Sequence, residues 1–278
     1  MSKSNFCVKL SFVFLLFAVS VIGFTQSASA NILITPTRVV FDDGQRFAVV
    51  TLVNNGKEPK SYEMDWVYLE MIEDNGGYAR DKVLPVGMAD ISKLVDFSPR
   101  RVRLAPGAKQ KIRLAFRRPA EIAEGDYHMH LRFKVAPEVH TQEDVVKSMQ
   151  TQKASANINI NLSYTIPVLV KIGSGEASAS IEQISMGRND RGQLTVAVPV
   201  RRSGDYSILG HLRAYHVDGS GRVLVGEISN ANIFREVSVR TFNFPLSKEV
   251  TGGMLEIELR EGSNRDGVVY AKRSFPLQ

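Results

Sequence analysis

From Ile158 onward the chain places an apolar side chain at every second position: Ile158, Ile160, Leu162, Tyr164, Ile166, Val168 and Val170. Asn157, Asn159, Asn161, Ser163 and Thr165 fill the alternate positions. A period of two predicts a β-strand with one apolar and one polar face, and this one far exceeds the usual strand length of about five or six residues. The segment before it has the same character in shorter pieces. "RFAVVTLVNNG" is a strand running into an Asn-Gly turn, "SYEMDWVYLEM" is a second strand, "RRVRLAPGAKQKIRLAF" is two strands about a Pro-Gly turn, and "DYHMHLRFKV" is a further strand. "APEVHTQEDVVKSMQTQKAS" is the longest polar interval. Its "EDVVKSM" has at most one helical turn in it and reads better as a loop.

After Lys171 the small residues of "GSGEASAS" read as a flexible linker. A second strand series follows, through "QLTVAVPV", "ILGHLRAYHV", "GRVLVGEI", "EVSVRTFNFPL", "GGMLEIELRE" and "VVYAKRSFPL". Many strands at regular spacing, with turns between and no amphipathic helical pattern, predict an all-β chain of two immunoglobulin-like sandwiches. The domains expected are 31–172 and 173–278.

Residues 1–30 read as a cleaved export signal. Lys3 and Lys9 precede the apolar run "LSFVFLLFAVSVIGF", and Ala28–Ser29–Ala30 offers the small residues a signal peptidase requires. The chain's one cysteine, Cys7, falls in that leader. An exported product is therefore expected to hold together without disulfides, and thiolate metal sites and cysteine nucleophiles are excluded. The formal charge of +6, less the two leader lysines, leaves +4. That balance suits an acidic or carboxylate-bearing protein partner, and no nucleic-acid partner is expected.

Four stretches resemble the periplasmic pilus chaperones of the chaperone–usher class. "ITPTRVVFDDG" is similar to the family's first strand, with Pro36 in its middle and Arg38 at the basic position. "VNNGKEPKSYEMDWVYLE" matches the next two strands and puts Trp66 where sandwiches commonly bury a tryptophan. "FSPRRVRLAPGAKQKIRL" is the most specific piece, and the long alternating strand corresponds to the family's G1. The resemblance covers most of residues 31–172, whereas the second half agrees only in size and β pattern. It implies two sandwiches in an L, and a chaperone that lends its G1 strand to pilus subunits lacking a final strand. It also implies handover to an outer-membrane usher and no cofactor. Carried residue by residue, it makes Ile158, Ile160, Leu162 and Tyr164 the donor side chains, with Ile166 next, and Arg38 an anchor for the subunit's terminal carboxylate. The family's second anchor is a lysine at the position held here by Pro167, so Lys171 is taken as its substitute. A free chaperone with an apolar donor strand is expected to cap itself as a homodimer.

Other candidate chemistry is sparse. His128 and His130 share a strand face with no third ligand nearby and read as a solvated pair, and Glu256 and Glu258 read as the wet side of "LEIELRE". The cluster Arg100, Arg101, Arg103, Lys109, Lys111, Arg113, Arg117 and Arg118 reads as a solvated sheet face or as a steering patch for an acidic partner. No nucleophile elbow occurs, and no enzyme is expected. Two other classes stay open: a pilus subunit or adhesin built of sandwiches, and a carbohydrate-active enzyme on a sandwich scaffold.

Overall fold

The computed structural model describes residues 32–42, 44–73, 77–79, 83–85, 88–136, 162–262 and 267–277. The expected leader, "EDVVKSM", Ile158 and Ile160 lie outside them. The first half contributes β1 (Ile32–Thr35), β2 (Val39–Phe41), β3 (Phe47–Asn54), β4 (Lys60–Val67), β5 (Glu70–Met71) and β6 (Tyr78–Ala79). After the short helix α1 (Ile91–Leu94) come β7 (Val95–Ser98), β8 (Arg101–Leu104), β9 (Lys109–Phe116), β10 (Gly125–Val135) and β11 (Ser163–Ile172). Asp90 caps α1 by accepting the Ser92 N–H at 3.0 Å. No helix among the described residues is long and apolar enough to cross a membrane.

Strands β1, β3, β9 and β7 form one sheet in that order, and β2, β11, β10, β4 and β8 form a second. Period-two alternation turns Val50 and Leu52 of β3, Ile112 and Leu114 of β9, and Leu131 and Phe133 of β10 into one apolar core. Trp66 packs against that core half-buried, with its ring edge-on to Phe97 at 5.5 Å. "ITPTRVVF", which reads as one strand, is divided between the two sheets as β1 and β2. Pro36 lies at the break, where its missing N–H would interrupt a ladder.

The second half contributes β12 (Ala177–Ile181), β13 (Ser185–Arg188), β14 (Leu194–Gly204), β15 (Ile208–Asp218) and β16 (Gly221–Ile233). It ends with β17 (Val239–Pro245), β18 (Met254–Glu261) and β19 (Val269–Pro276). One sheet runs β12, β14, β13 with β17 also on β14, and the other runs β16, β15, β18, β19. Val196, Val198 and Val200 pack with Leu255, Ile257 and Leu259 in a second core. The chain is therefore all-β, in two sandwiches.

The linker is more constrained than its composition predicts. Tyr206 donates its hydroxyl to the Ile172 carbonyl, and a Cβ at Gly175 would meet the Tyr206 ring at 1.9 Å. Glycine is required there because an aromatic ring occupies the space a side chain would take.

Asn54 ties the turns at one end of the first sandwich. Fully buried, it donates Nδ2 to the carbonyls of Glu58 and Leu104 at 2.8 and 3.0 Å and accepts the Gly56 N–H at 2.9 Å. Replacement by an apolar residue of similar size would strand those groups. Asn54→Leu is expected to cost about 3 kcal/mol, read as a lower urea midpoint with an unchanged slope.

Candidate functional site

The long strand is observed as β11, and its backbone has two unlike edges. In an antiparallel pair, opposed residues alternate between exchanging both hydrogen bonds and exchanging none. Val135 N–H donates to the Leu162 carbonyl at 3.2 Å, at the end of the β10–β11 register. Leu162 and every second residue after it therefore direct their backbone groups at β10. Ser163, Thr165, Pro167, Leu169 and Lys171 direct theirs to the other side. There the parallel strand β2 pairs only with Val168–Val170. No strand among the described residues pairs with that edge from Ser163 to Pro167. Pro167, the residue of β11 without an N–H, falls on this outward parity and takes nothing from the β10 ladder.

The side chains of the apolar set grade from wet to dry. Leu162 is 48% exposed, Tyr164 is half-buried, and Ile166 is 3% exposed. Ile166, Val168 and Val170 fill the core of their own sandwich, with Tyr164 packed against it. Of the expected donor residues that are described, Leu162 stands clear of that core and Ile166 is inside it.

The opposite face of the same sheet meets the second sandwich. Leu169 belongs to the second core, and its register partner His128 and the next residue on that face, His130, are 1% and 2% exposed. The expectation of a solvated pair is corrected by what covers them. His128 stacks on Phe234 at 4.1 Å and pairs through Nε2 with Glu236 Oε1 at 3.0 Å. His130 lies edge-on to Tyr78 at 5.1 Å and to Phe234 at 6.2 Å. Burial, with the neighbouring His128, pushes the His130 pKa down to about 3, against the opposing pull of Glu236. Burial pushes the Glu236 carboxyl up, but the hydrogen bond and charge of His128 and the Met71 N–H outweigh it and hold the pKa below its usual range. Ser207 N–H donates to Asp126 Oδ2 at 2.8 Å, and Arg235 Nη1 donates to the Asp126 carbonyl at 3.1 Å. Directional bonds thus cross between the sandwiches at several points.

Arg38 immediately precedes β2 and shares the parity of Val40, which packs against the second core. Extending the parallel register puts it beside Pro167, where the unpaired stretch of β11 ends. Its Nη1 donates to Asn232 Oδ1 at 2.6 Å. No carboxylate among the described residues lies within ion-pair distance of it. Burial lowers its pKa, with Tyr270 opposing. Lys171 is elsewhere: its Nζ stands 5.6 Å from the centre of the Tyr206 ring. At the usual rise it is about 13 Å of strand beyond Pro167. The structure does not bring it together with Arg38.

It brings Arg240 instead, whose Nη1 donates to the carbonyl of the same Asn232. Arg240 and Glu236 were not singled out from the sequence. Arg240 is one of the alternating residues of β17 and Glu236 lies in the turn before that strand, and no local spacing marks either.

The remaining candidates have structural partners. Glu256 and Glu258 are 9% and 5% exposed, not a wet face. Arg222 bonds both at 2.7 and 3.2 Å, Lys272 reaches Glu256 at 2.9 Å, and Arg260 reaches Glu258 at 2.9 Å. In the basic cluster, Arg101 pairs with Glu63 at 2.9 Å and Arg117 with Asp96 at 3.2 Å, while Lys109, Lys111 and Arg113 line the exposed face of β9. No group of three metal-ligating side chains occurs among the described residues.

No family model and no curated relative matches the chain. Many of the solved structures similar to it are fimbrial chaperones. The class 5 fimbriae chaperone CfaA is 14% identical, with 89% of this chain and 99% of that one covered and a TM-score of 0.42. The Pseudomonas aeruginosa CupB2 chaperone is 10% identical, with coverage of 88% and 100% and a TM-score of 0.41. The E. coli chaperone DraB is 11% identical, with coverage of 89% and 96% and a TM-score of 0.43. Likeness at that level decides nothing about this chain, whose reading rests on its own residues.

The buried histidine makes a prediction about pH. The folded pKa of His130 lies below the value of 6.5 for an unfolded histidine. The unfolded chain therefore binds the extra proton first as pH falls. The stability from keeping His130 neutral is fully present above pH 6.5 and is lost toward pH 3. Between pH 7.5 and 4.5 the loss should be on the order of 2 kcal/mol, followed by urea unfolding. His130→Phe should remove that part of the slope.

Proposed function

We propose that the chain is an ATP-independent periplasmic chaperone that lends the outward edge of β11 to pilus or fimbrial subunits lacking a strand. In this reading it holds them folded and passes them to an outer-membrane usher. Addition of a strand to an open sheet edge is a general mode of recognition, of which chaperone–pilin complementation is the established example. The observation that carries the reading is the one-sided pairing of β11 from Ser163 to Pro167, with Leu162 exposed at its start. The sequence continues the same alternation upstream through Ile160 and Ile158. Ile158, Ile160, Leu162 and Tyr164 would enter the subunit's groove, and Ile166 would join the two cores. Each such side chain, once buried, contributes about 1.5–3 kcal/mol, and each edge hydrogen bond about 1 kcal/mol. Ordering costs reduce that total, but no nucleotide chemistry is needed.

The same geometry supports a direction. A guest strand on this edge would lie end to end with β2, which already runs parallel to β11. A guest running parallel to β11 would bring its C-terminal carboxylate to Arg38, and an antiparallel one would bring its ammonium to the same cation. The first is attractive and the second repulsive, so Arg38 favours parallel capture with the register set at its end. The reading assigns residues 1–30 to a leader, 31–172 to the subunit-binding domain and 173–278 to the second domain. The free protein would shield its edge as a homodimer.

Co-expression with a candidate subunit tests the proposal. Ile160→Asp with Leu162→Asp should reduce the soluble complex recovered at least about tenfold, since charges would have to enter an apolar groove. Unchanged recovery, with the variant folded by circular dichroism, would remove the donor-strand role.

A further inference from the structure

Strand β10 presents His128 and His130 to the seam, where the second sandwich meets them with Phe234 and Glu236. The β5–β6 hairpin of the first sandwich reaches over the same place. Its Tyr78 lies against His130 and Phe234, its Met71 side chain belongs to the second core, and the Met71 N–H donates to Glu236 Oε1 at 3.2 Å. Among the described residues neither ring nitrogen of His130 has a hydrogen-bond partner, although the residue is 2% exposed. Folded proteins rarely bury polar atoms in this way, because each gives up its bonds to water.

The groups around that ring do little for a proton placed on it. His128, on the same strand face, is bonded to Glu236 Oε1, and Glu236 Oε2 makes no hydrogen bond to any described residue, His130 included. The pull of Glu236 is outweighed by burial and by His128. Tyr78 and Tyr68 are phenols held neutral by burial, with Arg240 acting on the first and Glu70 on the second. Further along the face, Asp126 and Arg132 are bonded to Ser207 and Asp65. A charged His130 is therefore relieved only by water.

We propose that His130 is an acid-operated latch on the seam: when it takes a proton the two sandwiches part there and water reaches the ring, while each sandwich keeps its own core. Neither histidine belongs to either core. The bonds that cross beside them can open as a unit: His128 and Met71 to Glu236, Ser207 to Asp126, and the Ser238 N–H to Glu73 Oε1 at 3.0 Å. His130 is also the register partner of Pro167, so the latch adjoins the end of the open edge of β11. The latch itself requires no guest.

Native-state hydrogen exchange of the purified protein tests the latch. It is read at the Met71, Ser207 and Ser238 amides on the seam and at the Asn54 and Leu246 amides inside the sandwiches. With intrinsic exchange rates divided out, protection of the seam amides should fall about thirtyfold between pH 7.5 and 5.0, as expected when burial moves a histidine from 6.5 to about 3. That window stays above the range in which the Glu236 carboxyl titrates. The seam amides should also exchange with a shallower dependence on urea than Asn54 and Leu246, since parting exposes less surface than unfolding. His130→Phe should abolish the fall with pH and keep the shallow urea dependence, and His130→Leu serves if the larger ring disturbs folding. A fall retained in the variant, or absent from the wild-type protein, would overturn the assignment to His130. Seam amides with the same urea slope as Asn54 and Leu246 would mean that the sandwiches separate only on unfolding, and would overturn the latch.

Discussion

The ladder between β10 and β11 pairs Gly125 with Ile172 at one end and Lys134 with Ser163 at the other. It satisfies one edge of β11 throughout, whereas β2 satisfies the other only beside Val168–Val170. Backbone groups left on an open edge invite another strand, and isolated proteins usually blunt such edges with charge, proline or a bulge. Pro167 does so at a single position and leaves Ser163 and Thr165 able to donate outward. Among the described residues, the unequal pairing of these two edges leaves one side of β11 without a partner strand from Ser163 to Pro167, which is where the proposed guest would add.

The same ladder sets which side chains face which neighbour. Because strand side chains alternate, Ile166, Val168 and Val170 enter the first core while Leu169 enters the second. His128 and His130 follow Leu169 onto the seam, and there the bonds are polar and directional. Glu236 meets His128, Asp126 accepts from Ser207, and Asn232 accepts from Arg38. Apolar area alone would let two sandwiches slide, since it carries no direction. Buried hydrogen bonds cannot shift without stranding a donor or acceptor, so they specify one arrangement. Arg38 is desolvated by that arrangement, and burial lowers its pKa.

Legibility followed the range of the interactions involved. The strands of "QLTVAVPV", "GGMLEIELRE" and "RRVRLAPGAKQKIRLAF" could be read directly, because alternation is written in neighbouring residues and survives packing. Arg38 enters through the resemblance, as its motif is local, and its anchoring role stays a proposal. "ITPTRVVF" reads as one strand because proline marks an interruption without saying that the two pieces join different sheets. The burial of the histidines is hidden from the sequence for a related reason: a spacing of two on a strand says that they share a face, and says nothing of what lies over it. The same holds for Glu256 and Glu258, whose cover of Arg222, Arg260 and Lys272 comes from three different strands.

What the sequence by itself determined was periodicity: where strands form, which of their residues share a face, and that the whole is built of sandwiches. What only the tertiary structure decided was pairing between distant segments. It left β11 half-covered, buried His130 under Tyr78 and Phe234, and gathered Arg38 and Arg240 on Asn232. The physical reason is that a local pattern constrains the direction of a side chain through backbone geometry, whereas the identity of its neighbour depends on how separate sheets dock. That docking is settled by contacts between residues far apart in the chain, and no short stretch of sequence contains both partners.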